Sequence, residues 1–110
     1  MRYALAALAL IALSPAAHAA TAECLIQVKG KTYVQGRCPI YLDGSTTVVG
    51  SDTAGRASPY FAYIDTNEDG TANGRWNETP GSSHAQSELG TLKREGAYCW
   101  ANATAKVCAK

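Results

Sequence analysis

The stretch L-I-Q-V-K-G-K-T-Y-V-Q, residues 25–35, contains two short runs of β-prone side chains on either side of a glycine. Lys29-Gly30-Lys31 is therefore expected to reverse the chain as the turn of a β-hairpin. Similar runs, separated by Gly, Asn and Asp, follow at residues 40–42, 46–49, 59–65, 71–77, 89–92, 97–100 and 105–109. No helical period persists over eleven positions after the leader. The chain is thus predicted to be all-β, a small antiparallel barrel or sandwich built of successive hairpins.

The beginning of the chain has the composition of a secretory signal peptide. Arg2 precedes an apolar run at residues 4–13, and small residues precede a cleavage position after Ala19. The apolar run is about half the ~20 residues that span a membrane, so no stable membrane anchor is expected. The predicted organisation is a signal peptide, residues 1–19, and a single exported β domain, residues 20–110. The predicted location is periplasmic or secreted.

The charge of the exported part argues against two classes of partner. The whole chain has ten Lys and Arg against nine Asp and Glu, and removal of Arg2 with the leader leaves nine of each. A neutral domain has no net field that attracts nucleic acid or an anionic membrane. We therefore expect no nucleic-acid binding, and a protein or a component of the cell envelope as the partner.

Four cysteines compensate for the small core that a domain of this length can form. An even number of cysteines in a short exported chain predicts two disulfides, from Cys24, Cys38, Cys99 and Cys108. Three pairings are possible. The local one, Cys24 with Cys38 and Cys99 with Cys108, is favoured because each pair brackets its own turn, although pairing between the two ends of the chain stays open. A closed loop of about 15 residues contributes ~3 kcal/mol to stability.

A calcium loop is the alternative interpretation of the stretch D-T-N-E-D-G, residues 65–70, which matches the first half of an EF-hand loop. The candidate ligands are Asp65, Asn67, Asp69 and Asn73. Trp76 stands at the twelfth position, where a bidentate Glu would complete the coordination sphere. The favoured interpretation is a hairpin turn in which Gly70 has a positive φ. Calcium remains the possible cofactor, and a calcium-stabilised structural or envelope-stress protein the corresponding alternative function.

Little in the sequence indicates catalysis. His84 is the single histidine that remains after removal of the leader. Ser82 and Ser83 are its neighbours in sequence, which does not place a nucleophile and a base face to face. All four thiols are expected to be consumed in disulfides, and no pair among the nine carboxylates is marked for acid-base work. No catalytic residue is assigned and no enzyme activity is expected, with a small hydrolase as the remaining alternative.

Partner binding is the function that these features favour. The polar stretch N-E-T-P-G-S-S-H-A-Q-S, residues 77–87, predicts a long surface loop, and such loops often carry recognition groups on a rigid scaffold. Arg and Trp side chains are common at interface centres. The candidate partner-binding residues are Ser82, Ser83, His84, Arg56, Arg75 and Trp76. In Y-F-A-Y, residues 60–63, strand alternation places Tyr60 and Ala62 on one face and the other two residues on the opposite face.

The order C-x₁₃-C, Y-F-A-Y, G-R-W-N, S-H-A, L-G-T-L and C-W-A-N-x₅-C covers most of the chain between the first and last cysteines. It resembles uncharacterised small exported four-cysteine proteins of alphaproteobacteria, a resemblance that implies no activity. In size, export and β content the chain is also similar to bacterial periplasmic inhibitors of lysozyme. This similarity implies a non-enzymatic binding module that inhibits a cell-wall hydrolase.

Overall fold

The computed structural model describes residues 18–52 and 57–110, which form a closed barrel of eight antiparallel strands. The strands are β1 (His18–Val28), β2 (Lys31–Asp43), β3 (Thr46–Ser51), β4 (Ala57–Thr66), β5 (Ala72–Trp76), β6 (Ser87–Glu95), β7 (Cys99–Ala101) and β8 (Ala105–Ala109). Each strand pairs with the next in sequence, and β8 returns to pair with β1. The predicted all-β fold of successive hairpins is confirmed, with a barrel as its form. These residues contain no helix of the length and apolarity needed to cross a membrane.

The up-and-down order of the strands gives the barrel two different ends. The turn end carries the β2–β3, β4–β5 and β6–β7 connections and the last residue of the chain. The loop end carries the other connections, among them the ten-residue segment between β5 and β6. Lys29 (φ 54°) and Gly30 (φ 80°) form the predicted β1–β2 turn at this end, because a two-residue hairpin turn of this type needs positive φ at both positions.

Strand alternation divides the side chains between the interior and the outer wall. One interior layer passes through paired residues of four strands, from Ile40 to Val49, Ala62 and Trp76. At the loop end the Trp76 ring lies 4.7 Å from the ring of Tyr33 and 5.9 Å from that of Tyr60, between ring centroids. This aromatic cluster fills the interior at the loop end. An eight-stranded barrel is narrow enough for side chains to fill in this way.

The two disulfides are Cys24–Cys38 and Cys99–Cys108, so the favoured pairing is confirmed. Cys24 and Cys38 belong to the buried core and link β1 to β2 diagonally, since Cys24 pairs in register with Gly36. Cys99 and Cys108 lie directly opposite each other on β7 and β8, with their Cα atoms 4.1 Å apart. Two disulfides are consistent with an oxidising environment outside the cytoplasm.

Candidate functional site on the outer wall

Two clefts lie side by side on the outer wall formed by β2, β3, β4 and β5. The first has a volume of about 340 Å³ and is lined by Tyr41, Asp43, Thr46, Val48, Ser51, Asp52, Tyr63, Asp65 and Arg75. The second has a volume of about 470 Å³ and is lined by Ser51, Ser58, Pro59, Phe61, Tyr63, Gly81, Ser82 and Ser83. Because Ser51 and Tyr63 line both clefts, the two form one continuous surface, which we call the outer-wall groove.

The floor of the first cleft is a row of paired residues on four neighbouring strands. Tyr41, Val48, Tyr63 and Arg75 follow one another across β2 to β5 in register. Val48 faces outward, yet only 6% of it is exposed, because a tyrosine stands on each side of it. The Arg75 guanidinium lies 4.7 Å from the centroid of the Tyr63 ring. Such a cation–π contact holds the guanidinium flat against the wall of the groove.

A second row, nearer the turn end, supplies the carboxylates of the groove. Asp43, Thr46 and Asp65 are paired across β2, β3 and β4. The Thr46 hydroxyl donates a 2.6 Å hydrogen bond to Asp65 Oδ1, and Arg75 Nη2 lies 3.8 Å from Asp65 Oδ2. Both partners of this ion pair are more than a third exposed, so the pair contributes only about 0–1 kcal/mol to stability. Its main effect is to orient Arg75 and Asp65.

The second cleft is shaped by the loop between β5 and β6, which Asn77 fixes to β4. Asn77 Oδ1 accepts a 3.0 Å hydrogen bond from the Phe61 backbone N–H. Asn77 Nδ2 lies 2.9 Å from the Pro59 carbonyl and 3.2 Å from the carbonyls of Thr79 and Ser82. The Gly81 N–H also donates to the Pro59 carbonyl, at 2.9 Å. The loop therefore lies over Phe61, an outward-facing ring that is only 7% exposed.

The structure brings together part of the predicted partner-binding set. Arg75 lines the first cleft, and Ser82 and Ser83 line the second. His84 is exposed next to them, and the Ser82 hydroxyl contacts the backbone of His84 rather than its ring. Trp76, in contrast, is 3% exposed and packs in the core, so its ring is not presented at the surface. Arg56 lies outside the described residues.

The stretch that suggested calcium forms the β4–β5 hairpin turn. The Asn67 N–H donates to the Thr71 carbonyl at 2.8 Å, the Gly70 N–H donates to the Asn67 carbonyl at 3.2 Å, and Gly70 has a φ of 90°. The Thr71 hydroxyl and backbone N–H both donate to Asp69 Oδ1, at 2.6 and 3.0 Å. These two hydrogen bonds hold the pKa of the Asp69 carboxyl below its ordinary value, and the bond from the Thr71 hydroxyl is the larger cause.

The four candidate calcium ligands make contacts with the protein in this conformation. Asp65 interacts with Thr46 and Arg75 in the groove, whereas Asp69 accepts from Thr71 in the turn. Asn73 Nδ2 lies 3.5 Å from Asn67 Oδ1. In the part of the chain that the structure describes, no three His, Cys, Asp or Glu side chains form a group suited to a metal ion. The stretch thus forms the favoured hairpin turn, and calcium binding stays the alternative.

Several residues of the groove were not predicted from the sequence. Tyr41, Val48 and Tyr63 come from three separate strands, and only the register of those strands places them in one row. A signal was present, because alternation in T-T-V-V, residues 46–49, puts Thr46 and Val48 on the same face. Asn77 stands where the predicted run at residues 71–77 meets the predicted loop at residues 77–87, and nothing in the sequence indicates that its side chain fixes this loop.

No family model, curated protein or solved structure matches the chain. The described residues define a small disulfide-linked barrel of eight antiparallel strands with a groove on its outer wall. The resemblance to small exported proteins and the similarity to lysozyme inhibitors therefore stay predictions.

Proposed function

We propose that the protein is a non-enzymatic binding module of the periplasm or the extracellular space that holds a protein partner in the outer-wall groove. One observation carries this proposal: the register of the strands and the fixed loop bring Arg75, Ser82 and Ser83 to adjoining clefts that share Tyr63. Three residues predicted separately from the sequence thus contribute to one concave surface.

The chemistry of the groove favours a protein surface as the occupant. Tyr and Arg are enriched among the interface residues that contribute most of the binding energy, and the groove presents Tyr41, Tyr63 and Arg75 in one row across its floor. The tyrosine and arginine side chains project from strands and not from mobile segments, which reduces the entropy lost on binding. The groove is therefore a preorganised surface for a partner.

The charges of the groove indicate which partner surface it fits. Among the described lining residues, Arg75 is the one basic residue and is paired with Asp65, which leaves Asp43 as the exposed carboxylate of the groove. A surface with this balance is complementary to one that carries Lys or Arg side chains. The specific form of the proposal is an inhibitor of a cell-wall hydrolase such as lysozyme, in which the groove and the Ser82–Ser83 segment contact a basic region of the enzyme.

The test is a binding and inhibition assay with c-, g- and i-type lysozymes, using the chain without residues 1–19. We expect saturable binding of at least one enzyme at micromolar protein, with loss of its activity. Asp43→Lys should weaken this binding about tenfold or more, because it places a cation against the basic partner surface. Glu23→Lys is the matched control, since it makes the same charge change on the wall of β1, where Glu23 faces Arg37.

Two results would count against the proposal. Absence of binding and of inhibition with all three enzymes would remove the inhibitor form. Equal weakening by Asp43→Lys and Glu23→Lys would show that binding depends on the overall charge of the protein, and would remove the groove as the binding surface.

A further inference from the structure

A third cavity, of about 200 Å³, opens at the turn end of the barrel, inside the wall of strands. Its lining includes Leu42, Thr47, Ile64, Arg94, Tyr98 and Trp100. Leu42, Thr47 and Ile64 are paired across β2, β3 and β4 on the interior face. The strand wall separates this cavity, which we call the barrel mouth, from the outer-wall groove.

The barrel mouth is apolar and open. Leu42 is 38% exposed and Tyr98 is 51% exposed, and these are the large hydrophobic residues that the described chain leaves exposed. Both line the mouth. The loop end differs, because the cluster of Tyr33, Tyr60 and Trp76 fills the interior there. Exposed apolar residues that are gathered at one concave site are typical of a binding site, whereas singly scattered ones are normal on any protein surface.

Arg94 gives the barrel mouth its charge. It lies on the same face of β6 as the buried Leu92, two residues away, and its guanidinium lies 4.3 Å from the centroid of the Trp100 ring. Arg94 Nη1 donates to the Ala97 carbonyl at 3.5 Å, which leaves other guanidinium N–H groups for a ligand. No other charged residue lines the cavity among residues 18–52 and 57–110.

A second cation stands close to the rim. The Lys110 ammonium lies 5.7 Å from the centroid of the Tyr98 ring. On β6, the Glu95 carboxylate forms an ion pair with Lys106 at 3.3 Å, and neither of these residues lines the cavity. Arg94 in the lining and Lys110 beside Tyr98 are thus two cations next to the apolar interior of the mouth.

We propose that the barrel mouth binds a small amphiphilic anion, namely a carboxylate attached to an apolar body the size of one aromatic ring or a short aliphatic chain. The volume sets the size, because an apolar cavity of roughly 150 Å³ accepts benzene. The cavity of about 200 Å³ has room for a ring together with a carboxylate. Arg94 supplies the donor geometry that carboxylates match, and Trp100 and Ile64 contact the apolar body. This site does not depend on the groove or on its partner.

The probes are benzoate and octanoate, each compared with its neutral amide, and octylamine as the cationic comparison. Binding is followed by calorimetry and by the NMR signal of the Trp100 indole, with the Trp76 indole as an internal reference at the other end of the barrel. We expect saturable shifts of Trp100 but not of Trp76. The carboxylates should bind at least about tenfold more tightly than their amides, and octylamine should bind most weakly.

Three variants locate the site. Arg94→Gln should abolish the preference for carboxylate over amide, and because Arg94 is exposed this variant is expected to fold. Thr47→Trp should fill the mouth and abolish binding of every probe, with circular dichroism used to verify the fold. Arg37→Gln, on the outer face of β2, is the matched control and should bind as the unaltered protein does.

Three results would overturn the proposal. The first is the absence of a saturable Trp100 shift with millimolar benzoate or octanoate. The second is equal affinity for carboxylates and amides in the unaltered protein. The third is an unchanged carboxylate preference in Arg94→Gln, which would show that another group holds the anion.

Discussion

Asn77 and Phe61 are joined by two hydrogen bonds, and one of them uses the side chain of Asn77 where a backbone carbonyl would be expected. The Asn77 N–H donates to the Phe61 carbonyl at 3.2 Å, and the Phe61 N–H donates to Asn77 Oδ1 at 3.0 Å. The same carboxamide faces three further carbonyls through its NH₂ group. One buried side chain therefore determines both the end of β5 and the position of the loop beside the outer-wall groove.

Replacement of Asn77 should destabilise the protein strongly. Asn77→Ala leaves the Phe61 N–H and the loop carbonyls without their partner in a buried place, and a lost buried hydrogen-bond partner costs about 1–3 kcal/mol. We expect a decrease of about 2–4 kcal/mol in the free energy of unfolding, measured by urea denaturation. Asn73→Ala is the control, since Asn73 is exposed on β5, four residues before Asn77, and it should change the stability by less than about 0.5 kcal/mol. Equal effects of the two variants would contradict the role of Asn77.

The two disulfides should differ in their rate of reduction. Cys24 and Cys38 are 4% and 3% exposed, whereas Cys99 is half-buried at the outer wall. Exchange requires that a thiolate reach a sulfur atom, so the Cys99–Cys108 bond should open first while the barrel stays folded. Alkylation and mass spectrometry during treatment with dithiothreitol should detect two thiols, and then four as the protein unfolds. Release of all four thiols in one step would contradict this order.

Loss of either bond also has an equilibrium cost. In the chain-entropy account, a closed loop of about 15 residues, similar to the loop between Cys24 and Cys38, contributes about 3 kcal/mol to stability. The Cys24→Ala/Cys38→Ala variant should lose more than that, because it also removes two buried sulfur atoms from the core. The Cys99→Ala/Cys108→Ala variant isolates the effect of the outer bond and should be the less destabilised of the two in urea denaturation.

The sequence was sufficient to predict an all-β chain of successive hairpins and to favour the observed disulfide pairing, because each depends on residues close together in the chain. The runs at residues 32–35 and 40–42, predicted as separate strands, form the single strand β2. Strand alternation also placed Phe61 and Tyr63 on the face opposite Tyr60, as the structure has them. The same rule separates Arg75 from Trp76. Adjacent residues of a strand point to opposite sides, so Arg75 in the outer wall requires Trp76 in the core.

The candidate sites depended on information that local patterns do not hold. The outer-wall groove is formed where Tyr41, Val48 and Tyr63 meet through the pairing of three strands, and that register includes a bulge near Gly50. The barrel mouth depends on the closure of β8 against β1. Barrel closure and strand register are set by the packing of the whole barrel, so local patterns in the sequence do not reveal them.

The bulge at Gly50 should tolerate no larger residue. Gly50 has a φ of 103°, and a Cβ atom there would lie 2.5 Å from the Tyr60 carbonyl oxygen. Gly50→Ala should therefore lower the free energy of unfolding by about 2–4 kcal/mol, through backbone strain and the clash together. Gly44→Ala is the control, because Gly44 also has a positive φ, of 61°, but its Cβ would meet nothing within 4 Å. Gly44→Ala should lower the free energy of unfolding by only about 1 kcal/mol. An equal decrease in the two variants would show that the protein relieves the clash at Gly50.

Calcium should leave the melting temperature unchanged. A ligand that binds only the folded state raises this temperature, by an amount set by its concentration relative to Kd. Asp65 and Asp69 accept hydrogen bonds from different parts of the protein, so they are not arranged as a common coordination sphere. Calorimetry in EDTA and in about 5 mM calcium chloride, roughly 5,000 times a Kd of about 1 μM, checks this expectation. A rise of several degrees with calcium, abolished by Asp69→Asn, would instead support the calcium-stabilised alternative.

The β4–β5 turn should lose part of its stability in acid through Asp69. Its pKa is lowered in the folded protein, so the turn gains stability from the ionised carboxylate. That contribution is complete above the ordinary carboxyl pKa of 3.8 and is lost as the pH falls through the lower pKa of the folded state.

Thr71→Val removes the hydroxyl donor, which is the largest cause of the shift, and keeps the backbone donor. NMR titration of the Asp69 carboxyl carbon should therefore give a higher pKa in Thr71→Val than in the unaltered protein, with the pKa still below 3.8. Thr66→Val, which removes a hydroxyl bonded to the Ser45 carbonyl instead, should leave the Asp69 titration where it was. Identical Asp69 titration curves for the unaltered protein and Thr71→Val would show that the hydroxyl does not stabilise the carboxylate.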